Sequence, residues 1–394
     1  MTGAPTAIYL DHQATTPVDP RVLDAMLPWF SETFGNAHSE QHVWGRQAAD
    51  AVDMAREHVA RLIGAEAREI VFTSGATESN NLAIKGATRF ALRHGRGRHI
   101  VTLASEHKCV LEACSAMEDE GAEVTVLSVD VDGLADVQAI SEAIRDDTVL
   151  VTVMAVNNEI GVVQPLTEVG ALCCERGVLF HTDAAQATGK IALDVDAMKI
   201  DLLSISGHKV YAPKGIGALY VRRRPRARLL AEISGGGQER GMRSGTLPVP
   251  LVVALGEAAD VAAEGLALEG EKLAALRARM LTRLQDSLDG VFVNGSMEHR
   301  VPGNLNVGFN GVNAETLMAD LPELAISTGS ACTSASVEPS YVLKALGISD
   351  ADAGASVRIG FGRFTTENEV DVAAEMIVRA VQEQRAGGSA RAAE

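Results

Sequence analysis

The sequence predicts an α/β protein: a large domain with a mostly parallel sheet between helices, and a smaller α+β C-terminal domain. Three observations carry this. From about Glu69 to Arg223, short β-branched runs alternate with amphipathic helical stretches, the alternation that gives parallel strands covered by helices on both faces. Some of those runs, such as Val149 to Ala155, are almost continuously apolar, as strands buried on both sides are. After Pro250 the pattern changes to a long helical stretch and a few better-alternating strands. At 394 residues the chain also exceeds what one core usually serves. The division expected is a large domain over 19–260, a small one from 1–18 and 261–385, and a disordered tail over 386–394.

In order, the predicted strands of the large domain are Ile70 to Phe72, His99 to Leu103, Glu123 to Val129, Val149 to Ala155, Val178 to Thr182, Leu202 to Ser206 and Gly217 to Val221. The helical stretches between them include Glu78 to Arg93, Val110 to Glu120, Asp136 to Ile144 and Leu166 to Arg176. Beyond Pro250 a helical pattern runs to about Asp289, broken by Gly265 and Gly270, and strands follow at Asn304 to Phe309, Leu324 to Ser327 and Ser356 to Phe361. The Ala, Gly, Ser and Arg tail from Arg385 reads as disordered.

Hydrophobic residues at 46% and charged residues at 22% are ordinary for a soluble enzyme. The apolar stretches are strand-length, whereas a spanning helix needs about 20 residues, so no membrane association is expected. The opening Met-Thr-Gly-Ala-Pro has no basic region followed by an apolar one, and the compartment expected is the cytoplasm. A net charge of −17 argues against direct nucleic-acid binding, which needs a positive face. The cluster Arg222, Arg223, Arg224, Arg226 and Arg228 reads first as a solvated basic edge, with docking of an acidic partner as the alternative. Five cysteines with no CxxC pair read as reduced thiols. Cys109, Cys114, Cys173 and Cys174 sit in apolar contexts and are expected as small buried hydrophobes. Cys332 lies instead among small polar residues, Ser327 to Ser336, where a mobile loop could present a thiol to a substrate and then to a partner.

Ligands of an open parallel sheet sit at the carboxyl ends of its strands, and the polar clusters fall there. Thr73-Ser74-Gly75-Ala76-Thr77-Glu78 opens a helix, an arrangement that suits an anion, although a simple N-cap at Thr77 is the more common meaning. Asp183-Ala184-Ala185-Gln186 and Ser206-Gly207-His208-Lys209 follow two other strands. A carboxylate and a lysine at neighbouring strand ends, near a phosphate cradle, are what pyridoxal phosphate requires: the lysine forms a Schiff base and the carboxylate keeps the ring nitrogen protonated. Taken singly, either residue would be read as part of a surface salt bridge. His38 and His42 have a spacing that can bind metal, but they sit in a predicted loop and are read as local structure, so no metal site is expected.

With these motifs in place, and with Tyr9-Leu10-Asp11, Ala14 to Pro17, Phe34-Gly35-Asn36, Glu106-His107-Lys108, Asn157 to Gly161, Arg243 to Thr246 and Gly329 to Cys332, the chain from about Ile8 to Val378 resembles the cysteine desulfurases. These are class V aminotransferase relatives, NifS/IscS-like, and fold-type I pyridoxal-phosphate enzymes. The resemblance implies that Lys209 is the Schiff-base lysine and Asp183 the partner of the ring nitrogen. It places Gln186 and Asn158 against the ring substituents, and Ala76, Thr77, Ser206 and His208 around the phosphate. Thr246 would reach the phosphate from the other subunit, which implies a homodimer. His107 would stack on the ring and move protons, and Asn36 and Arg358 would hold the α-carboxylate of L-cysteine, a task for which the planar fork of arginine is suited. Cys332 would take the sulfur as a persulfide and pass it to a sulfur-acceptor protein, leaving L-alanine.

Two rival readings differ in kind. One is another enzyme on the same fold, a selenocysteine lyase or an aminotransferase, for which Cys332 would be dispensable in transamination. The other is a non-enzymatic platform that only docks sulfur acceptors, for which the set Lys209, Asp183, His107 and Cys332 would have no use. His12-Gln13 departs from the family's usual wording near the expected cofactor pocket. Housekeeping family members also carry a longer C-terminal extension that meets an iron–sulfur scaffold. The destinations considered for the sulfur are iron–sulfur cluster assembly, placed first on frequency alone, and tRNA thiolation or DNA phosphorothioation.

Overall fold

The computed structural model describes residues 7–328 and 339–391, with side chains to 387. The strands in chain order are β1 (Ile8–Tyr9), β2 (Ile70–Thr73), β3 (His99–Leu103), β4 (Glu123–Leu127), β5 (Thr148–Thr152), β6 (Leu179–Asp183), β7 (Leu202–Ser206), β8 (Gly217–Val221), β9 (Val291–Val293), β10 (Asn304–Phe309), β11 (Leu324–Ala325) and β12 (Ser356–Gly360). Seven of them form one sheet in the order β2-β8-β7-β6-β5-β3-β4. β8 runs antiparallel to β7 and β2, while β4, β3, β5, β6 and β7 are mutually parallel. The fold predicted from the alternation is thus the one observed. β2, β3, β5, β7 and β8 are buried at every position, which is why their sequences carry no polar alternation. Two apolar clusters flank the sheet, one around Phe72 and Phe180, the other around Ile100, Val110 and Leu202.

A separate core collects Ile8 and Leu10 with residues from Leu273 to Val381. It surrounds the antiparallel sheet β12-β10-β9 and the parallel pair β1–β11, in which Ile8 lies opposite Leu324. The helix Val249–Ser287 joins the two regions: Val252 to Ala262 pack in the first core and Leu273 to Leu284 in the other.

That helix is continuous over 39 residues, so the break expected at Gly265 and Gly270 does not occur. A glycine costs a helix only about 1 kcal/mol, and the flanking Ala, Leu and Glu residues favour the helix. Tertiary contact at both ends holds it across the gap between the cores. The tail likewise departs from expectation. The helix Glu367–Arg391 carries the chain beyond Arg385: the apolar face of Val370, Ala373, Ile377 and Val381 is anchored in the small core, and extending an existing helix costs far less than nucleating one.

Two further expectations are corrected by burial. Cys114 and Cys173 are buried as predicted, but Cys174 is exposed and Cys109 half-buried; adjacent positions of a helix point about 100° apart, so the next residue after buried Cys173 turns out of the core. Arg222 is no solvated edge residue. Its guanidinium is buried, donates to Asp196 at 2.7 Å and to the carbonyl of Ile200, and so closes the end of β8 against the neighbouring loop. His42 accepts the amide of Gly45 as the N-cap of Val43–Leu62, the local role read from its sequence.

Candidate active site

The parallel strands end in one cavity of about 560 Å³, within the range of small-molecule sites. Ala76, Thr77, His107, Asn158, Asp183, Gln186, Ser206, His208, Lys209 and Arg358 all line it. Ten residues named from the sequence, drawn from strand ends and loops across the chain, therefore converge. The topology explains why: parallel strands place their carboxyl ends along one edge, where the following loops supply side chains.

At the mouth, β2 ends at Thr73 and the helix Ala76–Arg93 begins with Gly75 as its N-cap, without any side-chain cap. Thr77 is thus not the cap that a simple reading would give; it lies in the first turn, and the first amides of the helix face the cavity uncapped. Gly75 has φ +151°, a conformation that glycine accommodates. Its neighbour Gly217 must also lack a side chain, since a Cβ there would lie 2.6 Å from the Gly75 Cα. Uncapped amides at the end of an 18-residue helix, with the Ser206 hydroxyl and the His208 ring beside them, make a phosphate cradle. Burial, reinforced by the charges of Lys209, Lys214 and Lys190, pushes His208 down to about 4, so it meets an anion as a neutral ring.

Asp183 is the last residue of β6 and is 4% exposed. One carboxylate oxygen accepts the Ala185 amide at 2.9 Å and the other accepts the Asn80 side-chain amide at 2.7 Å. Lys209 ends the short 3₁₀ turn Gly207–Lys209 that follows β7. Its ammonium donates to the carbonyls of Gln13 and of Ala14, the latter at 2.8 Å. Two residues on, Tyr211 adopts φ +67°, a strained state for a bulky residue. It is held there because its amide donates to Thr16 Oγ1 and its carbonyl accepts from Asp19.

His107 caps the helix Lys108–Glu118, its Nδ1 accepting the Cys109 amide at 3.2 Å. A nitrogen that accepts is unprotonated, so the neutral ring carries its proton on Nε2. Arg358, on β12, reaches the cavity from the small core. It donates to the Asn158 carbonyl and to Asp11 Oδ1, both at 2.8 Å, and is 3% exposed. Gln186 is held on both sides, donating to the Gln13 carbonyl and accepting from Lys190, each at 2.8 Å.

Two residues named from the sequence do not line the cavity. Asn36 is exposed, accepts the His38 amide and does not line the cavity. Thr246 is exposed and also outside the lining. Cys332 lies outside the described residues. The structure adds lining residues to which the sequence reading gave no role in the site: Gln13, Ala14, Cys109, Met154, Val156 and Lys214. Cys109 had a signal, standing two residues from His107. Gln13 had one in the unusual His12-Gln13 pair, and no local pattern marks Met154 or Val156.

The lining fits pyridoxal phosphate. It offers an uncapped helix end for the phosphate, a buried carboxylate for the ring nitrogen and a lysine for the aldehyde. Arg358 Nε and Asn158 Oδ1 are buried without a hydrogen-bond partner among the described residues, and both belong to residues that line this cavity.

This fold and lining define a fold-type I pyridoxal-phosphate enzyme, and the chain belongs to the class-V aminotransferase family, whose model it matches over residues 8–372. It is 54% identical over 378 residues to cysteine desulfurase IscS of Rickettsia felis (strain ATCC VR-1525 / URRWXCal2), covering 96% of this chain and 92% of that protein. Among solved structures it resembles a NifS-like protein at TM-score 0.88 and 33% identity, covering 95% and 99% of the two chains. It also resembles SspA in complex with cysteine at TM-score 0.80 and 42% identity, covering 91% and 100%. Within the family this chain is a cysteine desulfurase of the NifS/IscS-like kind, dependent on pyridoxal phosphate, as the sequence motifs implied. Among the described residues no helix is long and apolar enough to cross a membrane.

Proposed function

We propose that the cavity at the carboxyl edge of the sheet removes sulfur from L-cysteine with Lys209, Asp183 and His107 as its chemical groups, and that Cys332 receives the sulfur. The observation that carries this is the convergence of those three side chains with Arg358 on one cavity. When bound, pyridoxal phosphate supplies an electron sink that acidifies the substrate Cα proton and then loosens the Cβ–S bond. The amides of Ala76 and Thr77, with Ser206 and His208, hold its phosphate, and Asp183 holds the proton on its ring nitrogen. Arg358 fixes the substrate carboxylate. Lys209 removes and returns the proton at Cα. His107, with its proton on Nε2, serves proton transfer at the ring face. The Cys332 thiolate attacks the substrate sulfur: an S–S bond forms, the Cβ–S bond breaks, and its electron pair ends in a C–H bond of alanine. The balance is L-cysteine plus Cys332–SH giving L-alanine plus Cys332–S–SH.

The same reading includes a homodimer. Leu27, Phe30, Phe34 and Trp44, which flank Asn36 in sequence, are exposed, and Asn36 and Thr246 both lie outside the lining of their own cavity, which supports a partner subunit receiving them. It also includes a cytoplasmic location, a sulfur-acceptor protein and a boundary near residue 260, which the two separate cores support.

The test is alanine and sulfide release from L-cysteine with a reductant present, for the wild type beside Cys332→Ser. Equal amounts of both products from the wild type and no sulfide from the variant are expected. Sulfide release retained by Cys332→Ser would remove Cys332 from its role.

A further inference from the structure

At the cavity wall, two residues without an assigned part connect two that have one. Asn80, on the first turns of Ala76–Arg93, is fully buried. Its side-chain nitrogen donates to Asp183 Oδ2 at 2.7 Å and to Cys109 Sγ at 3.1 Å. Cys109 Sγ in turn lies 3.0 Å from His107 Nδ1. The donor directions follow from chemistry. A carboxylate only accepts, so the amide nitrogen must face Asp183, and both its hydrogens are used. His107 Nδ1 already accepts the Cys109 backbone amide, so the thiol donates its hydrogen to Nδ1 and accepts at sulfur from Asn80. The order is Asp183, Asn80, Cys109, His107.

The arrangement carries a cost. Asn80 Oδ1 is buried with no partner among the described residues; an apolar side chain would remove that orphan but would strip buried Asp183 Oδ2 of its amide donor. Asn80 is placed where its amide spans Asp183 and Cys109. Cys109 lines the cavity and carries the span onward to the imidazole.

We infer that Asn80 and Cys109 are positioning residues forming one hydrogen-bonded bridge, which sets the Asp183 carboxylate and the His107 ring jointly. The inference rests on the roles given to Asp183 and His107 above. Two groups with separate tasks toward one cofactor would thereby be kept in register with each other rather than each with its own loop. Serine at 109 would preserve the bridge, since a hydroxyl both donates and accepts; alanine would break it.

The experiment compares Cys109→Ala, Cys109→Ser and Asn80→Ala with the wild type by two readouts. In alanine release, Cys109→Ala and Asn80→Ala should lower kcat about tenfold with KM within about twofold, a smaller loss than the ~10²–10⁴-fold that a general acid–base group itself supplies. Cys109→Ser should recover most of that loss. In crystal structures of the cofactor-free proteins, the His107 ring should turn from its wild-type orientation in Cys109→Ala and keep it in Cys109→Ser. An unchanged kcat in Cys109→Ala, a serine variant no better than the alanine one, or a ring that stays in place would each overturn the bridge. If Cys109→Ala does not fold, Asn80→Ala decides by the same two readouts. Wild type run in parallel keeps the two ideas apart: a wild type forming no alanine rejects the activity reading, while the ring orientation in the cofactor-free variants still judges the bridge.

Discussion

Two regions build the cavity by different means. At the carboxyl edge of the large sheet each functional residue sits at, or a few residues after, the end of its own strand. Asp183 closes β6, Ser206 closes β7 with Lys209 three residues on, and His107 caps a helix four residues after β3. The wall around Arg358 is assembled from the two ends of the chain. Arg358 lies on β12 opposite Asn306 of β10 and donates to Asp11, 347 residues away. Gly360 bridges to Asp11, and Gly360 and Gly362 leave no space for side chains because Gln13 and His12 occupy it. The edge, on the reading above, does the chemistry; the wall grips the substrate. Damage to the edge should therefore appear in kcat, and damage to the wall in KM.

The largest effect tests the edge. Lys209→Ala removes the proton carrier and the cofactor's covalent anchor together, and alanine formation should fall by at least ~10³-fold, beyond what one acid–base group typically supplies. Turnover after reconstitution with excess cofactor is the measurement. Activity within tenfold of wild type would assign the chemistry to another group and dissolve the division.

A middle effect tests the wall. Arg358→Lys keeps the charge but loses the planar fork. A hydrogen bond to a charged group contributes about 1.5–3 kcal/mol, so KM for L-cysteine should rise about 10- to 100-fold with kcat changed much less. Steady-state kinetics of alanine release measures this. If kcat falls as steeply as KM rises, Arg358 is acting in the transition state and the wall is part of the chemistry.

The same division explains what was legible. The sheet, its helices and the edge residues follow from contiguous patterns: an apolar run, then a polar cluster, then a helix. Asp183, Ser206, His208 and Lys209 could be placed together because parallel strands deliver their ends to one edge. The pairing of β1 with β11 and the contact of Arg358 with Asp11 have no local signal, and Arg358 was found through the resemblance alone. Asn36 shows the converse, a motif residue that does not line its own cavity. The unbroken helix Val249–Ser287 was misread because glycines report local propensity, whereas two cores hold this helix from its ends. Cys109 was read as packing because its sequence context is apolar; only the three-dimensional approach of Asn80 and His107 gives its sulfur partners.

The smallest effect concerns a group on the edge that the chemistry does not use. Glu106 is fully buried beside His107, with one oxygen accepting the Met154 amide at 2.6 Å and the other lacking a partner among the described residues. Burial, opposed by that amide and reinforced by the nearby charge of Asp183, holds its carboxyl well above the usual 4.5. The unfolded chain releases this proton near 4.5, whereas the folded protein retains it to much higher pH. Across that window the native state binds the extra proton, so stability must fall as pH rises, and the whole contribution is present only below the unfolded value. Glu106→Gln resembles the protonated acid and has no proton to lose. Its stability relative to wild type should therefore improve from pH 5 to pH 8, as read from urea midpoints at the two pH values on the cofactor-free protein. An advantage that is constant or shrinks with pH would mean that Glu106 folds ionised. The edge would then hold a second buried negative charge close to Asp183, and the joint placement of Asp183 and His107 would have to be argued again with that charge included.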